Sequence, residues 1–484
     1  MAHLQIYKNG NCKELSFQPP QPLHVLLEQA GFSGLRPCGG LGKCGKCAVT
    51  LYGEISEPNK AEQAAGVRLA CQAQILGDAQ VFLPNTADLQ QIQTESSATV
   101  KHNTKRSGIG AAVDIGSTTV VLRRYDLQTG KVLGQSAMLN PQTSIAADVM
   151  GRIGAAMEGK LSLLQRQITD AIALLLKQAG GSADEMVITG NTTMLYLLTG
   201  RDPSSLSRAP FQADTLFDTT FSFLGIPAYL PPCMNAFVGA DISCAVLASN
   251  MCRQGTALLC DIGTNGEIAL WKDGVLSVTS TAAGPAFEGA LISCGCSSIP
   301  GAIDKVWEEN GQLCIHAIGD VPAVGVCGSG LIDAVATALR LEWLDETGAL
   351  EEDAISLAPG ITLLQQDIRS LQLAKAAIAA GIQTLLDGSG ITCQDIDTFY
   401  LAGGFGSHLN LQSASAIGLI PQALVSKAKV IGNAALAGTC DLLLNDDAIP
   451  SARQIANTSQ HYNLGGNPTF NEYYMEQMLF PCGE

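Results

Sequence analysis

Asp114-Ile-Gly-Ser-Thr-Thr119 stands between two strand-like runs, Ala111 to Val113 and Thr119 to Arg123, and its reading decides the fold of most of this chain. A strand, a glycine turn and a second strand form a hairpin whose loop suits phosphate. Gly116 removes the side chain that would keep backbone amides from phosphate oxygens, Ser117 and Thr118 bring hydroxyl donors, and Asp114 can hold Mg²⁺ through water. A second version, Asp261-Ile-Gly-Thr-Asn-Gly-Glu267, follows the apolar Ala257 to Leu259 and repeats these roles with Gly263, Thr264 and Asn265. No Gly-x4-Gly-Lys-Ser/Thr string occurs, so neither loop is of the Walker type. Either loop alone is weak, because Asp-Ile-Gly strings are common by chance.

A third element, Ala402-Gly-Gly-Phe-Gly406, follows the apolar run Phe399 to Leu401. From Ile109 onward, short apolar strands alternate with long amphipathic helices such as Leu161 to Gln178 and Leu371 to Leu386, an α/β pattern. In this order the three elements resemble the phosphate 1, phosphate 2 and adenosine motifs of the actin, hexokinase and sugar-kinase superfamily. The resemblance implies an actin-like (ribonuclease H-like) ATPase domain of two lobes that close over ATP and Mg²⁺. It places Asp114, Gly116, Ser117, Thr118 and Thr119, with Asp261, Gly263, Thr264 and Asn265, at the metal and phosphates. Gly403, Gly404 and Phe405 fall at the adenosine. Connecting helices are expected after Thr189-Gly-Asn-Thr-Thr193 and Gly328-Ser-Gly330. Asn191, Asn265 and Glu267 are candidates for orienting an attacking water, with turn capping as the competing reading. The expected division is lobe I over 109–245, lobe II over 246–450 and a C-terminal tail over 451–484.

Upstream, residues 1–84 read as a separate small domain. Alternating Leu4-Gln5-Ile6-Tyr7, a turn at Asn9-Gly-Asn11, a strand to Phe17, a helix from Pro22 to Ala30 and closing strands describe a β-grasp. Its loop carries Arg36-Pro-Cys-Gly-Gly-Leu-Gly-Lys-Cys-Gly-Lys-Cys47, and with Cys71 the spacing is Cys38-x5-Cys44-x2-Cys47-x23-Cys71. Three ligands on one Gly-rich loop and a distant fourth resemble the 2Fe-2S ferredoxins with a longer first gap. Zinc is the competing metal, but four-cysteine zinc sites usually pair two short hairpins. Cys12, Lys43 and Lys46 are read as a spare thiol and two solvated cations. Residues 85–108, rich in Gln, Thr and Ser without apolar period, are expected to form an exposed, flexible linker that lets the cluster domain move.

Composition narrows the partners. A net charge of −16 disfavours nucleic-acid binding, which needs a concentrated basic face, and the one short basic cluster, Lys101 to Arg106, falls in the linker. With no apolar leader after Met1 and no unbroken apolar stretch long enough to span a bilayer, a cytoplasmic protein without a membrane partner is expected. On that expectation the 16 cysteines are four cluster ligands and free thiols rather than disulfides.

As a whole the chain resembles the reductive activators of corrinoid proteins. The likeness extends through Gly190-Asn-Thr-Thr-Met194, Phe237-Val-Gly-Ala-Asp241, Gly284-Pro-Ala-Phe-Glu-Gly289, Gln372-Leu-Ala-Lys-Ala-Ala-Ile378 and Ile431-Gly-Asn-Ala-Ala435. It implies one-electron reduction of inactive Co(II) to Co(I) in a corrinoid protein or corrinoid-dependent methyltransferase, through a 2Fe-2S cluster and coupled to ATP hydrolysis. An upstream low-potential electron donor and a homodimer are implied as well. With a plant-type cluster near roughly −400 mV, an acceptor about 100 mV lower opposes transfer by about 2.3 kcal/mol per electron, which gives ATP a purpose. Alternatives are an ATP-driven donor to another low-potential enzyme and a small-molecule kinase with a redox-sensing domain. The loop from Gly284 to Gly301, with Glu288, Ser293, Cys294 and Cys296, either faces the corrinoid or packs near nucleotide; it is given no catalytic residue. Two departures from relatives matter: the tail carries only Cys482 and so lacks the tandem cysteine segments of the four-iron type, and the first phosphate loop begins just after the linker, so contacts made by the extra domain of larger members are not carried over.

Overall fold

The computed structural model describes residues 1–8, 11–32, 47–65, 68–83, 95–209, 211–406 and 408–481. Cys38, Cys44, the turn at Asn9-Gly10 and residues 84–94 of the expected linker lie outside the described residues.

In the N-terminal domain, strands Ala2–Lys8 and Asn11–Phe17 pair antiparallel, and Gln74–Phe82 runs parallel beside the first. Ala48–Ile55, the short Arg68–Leu69 and the two-residue Gln21–Pro22 complete the sheet. Along Gln74–Phe82 every second residue is buried, so Ile75, Ala79 and Val81 face one core. Helix Leu23–Gln29 adds Leu23, Leu26 and Leu27 to that core. This is the β-grasp expected from the sequence.

Two six-stranded sheets are the largest in the rest of the described chain, beside a three-stranded and a two-stranded sheet. In the first, the antiparallel meander Ile109–Ile115, Thr119–Asp126 and Val132–Leu139 is extended by Glu185–Gly190 and Ile226–Leu230, each parallel to its neighbour. The second repeats the plan with Ala257–Ile262, Gly266–Lys272 and Val275–Thr281, extended in parallel by Thr398–Ala402 and Ala428–Gly432. The two halves recognised from their loops are thus the same sheet built twice. Helix Leu161–Gln178 buries Leu164, Ile168, Ile172 and Leu175 on one side, the helical period the sequence displays. Helix Gln365–Gly388 begins earlier than the expected Leu371, because Asp367 reaches back to the Leu364 amide at 2.8 Å and caps the helix there.

Three boundaries differ from the sequence reading. Residue 245 falls inside helix Ala240–Ser249, and helix Ala434–Leu444, although it follows the second sheet in sequence, packs against that helix and the strands Ile109–Ile115 and Glu185–Gly190 of the first lobe. The crossing is close: a Cβ on Gly438 would stand 2.0 Å from the Cys244 carbonyl oxygen. Residues 459–481 of the expected tail pack on the second lobe. Strand Ser459–His461 extends the second sheet beside Val275–Thr281, helix Pro468–Glu476 packs on Gln365–Gly388, and Phe480 is buried in the core beneath the Lys375 ammonium. Finally, the later part of the expected linker is fastened down. Ser96 Oγ donates to the Ile431 carbonyl, the Thr104 amide donates to Leu444, and Arg106 bonds Glu185.

Candidate functional site

Each phosphate hairpin turns as its glycine predicts. The Gly116 amide donates to Thr119 O at 2.9 Å, and a Cβ at Gly116 would lie 2.9 Å from that same oxygen; the Gly263 amide donates to Asn265 O at 2.9 Å. Asn191 caps helix Thr192–Thr199 by accepting from the Met194 amide, and its Nδ2 donates to Ser117 Oγ at 3.2 Å. It therefore does what the capping alternative requires and also touches the first phosphate loop. Helix Gly328–Arg340 begins at the expected glycines.

Four acids gather where the two hairpins face each other. Asp114 and Asp261 end the first strand of each meander, Glu267 begins the second strand of the second, and Asp241 sits in the first turn of helix Ala240–Ser249. All lie deep in the protein and keep partial exposure to the cleft. Burial pushes the Asp114 carboxyl up to about 6, against a 3.1 Å hydrogen bond from Asn433 Nδ2. Burial and then the Asp114 charge raise Asp261 to about 7. Burial, Asp114 and Asp261 raise Asp241 to about 7, and burial with Asp241 and Asp261 holds Glu267 well above the usual carboxylate range. Burial is the larger cause throughout, and repulsion between the acids adds to it at Asp241, Asp261 and Glu267. Among the described residues, no three His, Cys, Asp or Glu side chains converge closely enough to hold a metal ion by themselves. Carboxylate oxygens are the donors that a hard divalent cation takes, with water or a ligand completing its shell.

The first hairpin rests on a buried cation. Arg152, fully buried, donates to Ser117 O at 2.5 Å, to Ala146 O at 3.0 Å and to Gln142 Oε1 at 3.3 Å. Burial pulls its guanidinium down to about 10, opposed by the fields of Asp148 and Glu288. Asn140 adds a bond to Gly116 O at 2.9 Å.

The third motif closes the site. Gly403 has φ +86°, and a Cβ there would meet Asp261 Oδ1 at 2.4 Å, so only glycine can follow this strand. Gly404 is exposed, and Phe405 stacks on Phe287 with ring centroids 5.0 Å apart. Glu288 joins the two lobes: it accepts from Thr118 Oγ1 at 2.8 Å and from Thr264 Oγ1 at 2.5 Å. Motif reading did not single out Arg152, Asp241, Asn433 or Glu288 as site residues. Asp241, Glu288 and Asn433 lie within strings that carry the family likeness; nothing local to Arg152 signals its place under Ser117.

In the small domain, Cys47 stands before strand Ala48–Ile55 and Cys71 follows strand Arg68–Leu69. The two sulfurs are buried and 3.2 Å apart, with the Ala70 amide bonded to Cys47 O at 2.8 Å and Gln72 Nε2 3.6 Å from the Cys71 sulfur. Two thiols at this separation, with an amide donor at one of them, fit the requirements of a bound iron-sulfur group. Among the described residues no helix is long and apolar enough to cross a membrane.

Comparison with known proteins joins these sites. Residues 6–76 match the model for the 2Fe-2S iron-sulfur cluster binding domain, residues 109–254 that for the RACo middle region, and residues 255–484 that for the C-terminal domain of RACo, the ASKHA domain. The corrinoid activation enzyme RamQ of Eubacterium limosum is 33% identical over 418 residues, 77% of this chain and 70% of that one. The [Co(II) methylated amine-specific corrinoid protein] reductase of Methanosarcina barkeri is 26% identical over 419 residues, 77% of each chain. A solved structure of a reductive activator for corrinoid, iron-sulfur protein superposes with a TM-score of 0.72 at 25% identity, covering 99% of this chain and 98% of that one.

Proposed function

The chain belongs to the family of reductive activators of corrinoid proteins, and from that premise we propose that it returns a corrinoid protein from inactive Co(II) to Co(I) with one electron, coupled to ATP hydrolysis. The observation that carries this reading is the union, in one chain, of the close Cys47 and Cys71 pair with a cleft of facing phosphate hairpins.

Cys47 and Cys71, with Cys38 and Cys44 from the neighbouring loop, would hold a 2Fe-2S cluster. That group supplies a one-electron couple at low potential. An external low-potential donor would supply the electron, and the partner's cobalt would accept it without a proton. In the cleft, Gly116 and Gly263 admit phosphate oxygens to backbone amides, and Ser117, Thr118, Thr119, Thr264 and Asn265 surround them with polar groups. Asp114 and Asp261 would face Mg²⁺ through water, with Asp241 and Glu267 adding negative charge. Gly403, Gly404 and Phe405 border the adenosine side. Asn191 and Glu267 would orient water, a role supported for Asn191 by its bond to Ser117. The residues fastening 95–107 to the ATPase core bring the linker to Asn433, whose amide donates to Glu95 O at 3.1 Å and whose side chain bonds Asp114. Nucleotide at Asp114 is thus one residue from the strand of chain that leads to the cluster domain.

A corrinoid protein or corrinoid-dependent methyltransferase is the partner this reading requires. A homodimer is what the family resemblance implies, and sedimentation of the purified protein tests it. The central test mixes reduced protein with Co(II) corrinoid proteins anaerobically, with and without Mg-ATP, and follows the visible spectrum. Co(I) appearing only with ATP supports the proposal. ATP consumption without any cobalt reduction turns the reading toward another low-potential acceptor.

A further inference from the structure

We propose that Glu288 is a positioning residue that nucleotide displaces, so that the turn carrying it reports occupancy of the cleft to the loop beyond. The inference rests on the nucleotide reading of the two hairpins.

One carboxylate holds both lobes. Glu288 Oε2 accepts from Thr118 on the first phosphate hairpin and Oε1 accepts from Thr264 on the second, at 2.8 and 2.5 Å. These hydroxyls are the donors a phosphate group between the hairpins would use. A carboxylate and a phosphate are both anionic acceptors, so they compete for one set of donors and repel each other at hydrogen-bond range. Arg152, the buried cation beneath Ser117, feels the Glu288 field already and would serve a phosphate in the same way.

The turn is built to respond. Pro285–Glu288 forms a single 3-10 turn between Gly284 at φ +77° and Gly289 at φ +70°. The Gly284 amide bonds Thr264 O at 2.9 Å, tying one end to the second hairpin. Phe287 stacks on Phe405 of the adenosine motif. Residues of all three nucleotide motifs therefore touch this one turn: Thr118, Thr264 and Phe405. Beyond Gly289 the chain runs through Leu291, 56% exposed at φ +65°, to Ser293, whose amide and hydroxyl meet Asp367 at 2.7 and 3.0 Å. Release of Glu288 frees the turn from the first hairpin and leaves it on the second by the Gly284 bond alone, which loosens the segment 289–296.

The test uses the full-length protein with its cluster, and compares Glu288→Gln and Glu288→Ala with the wild type. Mg-ATP affinity is measured by equilibrium dialysis, and hydrogen exchange of residues 284–300 is measured with and without nucleotide. Cluster absorbance and thermal midpoint establish that the variants are folded. Glu288→Ala is expected to bind Mg-ATP roughly tenfold more tightly, the effect of no longer breaking a charge-assisted contact, with Glu288→Gln between it and the wild type. The wild-type segment should exchange faster when nucleotide binds, and free Glu288→Ala should already exchange at that faster rate. Unchanged or weaker affinity in folded variants overturns the proposal, because Glu288 would then be neutral or a ligand of the nucleotide rather than its competitor. Wild-type exchange indifferent to nucleotide overturns the coupling. Wild-type protein that binds no nucleotide removes the cleft reading itself, a different and recognisable failure.

Discussion

Gly403 and Asp261 are in contact across the end of the second sheet: a Cβ on the glycine would stand 2.4 Å from the carboxylate oxygen Oδ1. The adenosine motif and the second phosphate motif, far apart in sequence, thus share one steric boundary. Gly403→Ala must both push that carboxylate aside and hold an L residue at φ +86°. We expect a stability loss of about 1–2 kcal/mol from the backbone alone and at least a tenfold loss of Mg-ATP affinity. Chemical denaturation and dialysis measure the two, and undiminished affinity would show that Asp261 takes no part in binding.

The acidic cluster predicts a pH dependence with a definite sign. Asp114, Asp241 and Asp261 titrate near 6 to 7 in the folded protein, above the ordinary 3.8. The folded state binds more protons than the unfolded chain, so this contribution is complete below about pH 4 and is lost as pH rises through the folded values. The thermal midpoint without nucleotide should therefore fall between about pH 5 and pH 8, Asp241→Asn should flatten the fall, and Mg-ATP should offset it. A midpoint rising through that interval in the wild type, with no difference in Asp241→Asn, would contradict the assignment.

Arg152 should resist conservative replacement. Lysine cannot reproduce the guanidinium fork that meets Ser117, Ala146 and Gln142 together. Arg152→Lys is expected to cost about 2–4 kcal/mol of stability and to weaken Mg-ATP binding, read from urea unfolding and nucleotide titration. Wild-type values in both would place the support of the first hairpin elsewhere.

Cys47→Ser or Cys71→Ser should remove the cluster and leave the nucleotide cleft. The cores of the small domain and of the two lobes are separate sets of residues. Iron content and visible absorbance should fall to background, while ATP affinity stays within about twofold of wild type. Loss of nucleotide binding as well would mean the domains are not energetically independent.

Much of this architecture is legible in local sequence because local physics sets it. The period of two in Gln74–Phe82, the 3.6 period in Leu161–Gln178 and the glycine turns after Asp114 and Asp261 each report structure within a few residues. The start of helix Gln365–Gly388 was less visible, since Asp367 caps it through a side-chain bond that periodicity does not record. The ends of lobe and linker were not legible, for the same reason on a larger scale. Leu436 and Leu443 look equally apolar whichever lobe they serve, and only packing against Cys244, Val187 and Ala112 decides it.

By itself, then, the sequence determined the cysteine pattern, the order of the three nucleotide motifs and the strand and helix periods, because side chains close in the chain must share one backbone geometry. Tertiary structure alone decided that Glu288 spans Thr118 and Thr264, that Arg152 lies under Ser117, that Asn433 reaches Asp114, and that burial raises four carboxyls above the usual carboxylate range. Those features depend on distance in space and on removal from water, and neither is set until the two lobes have packed.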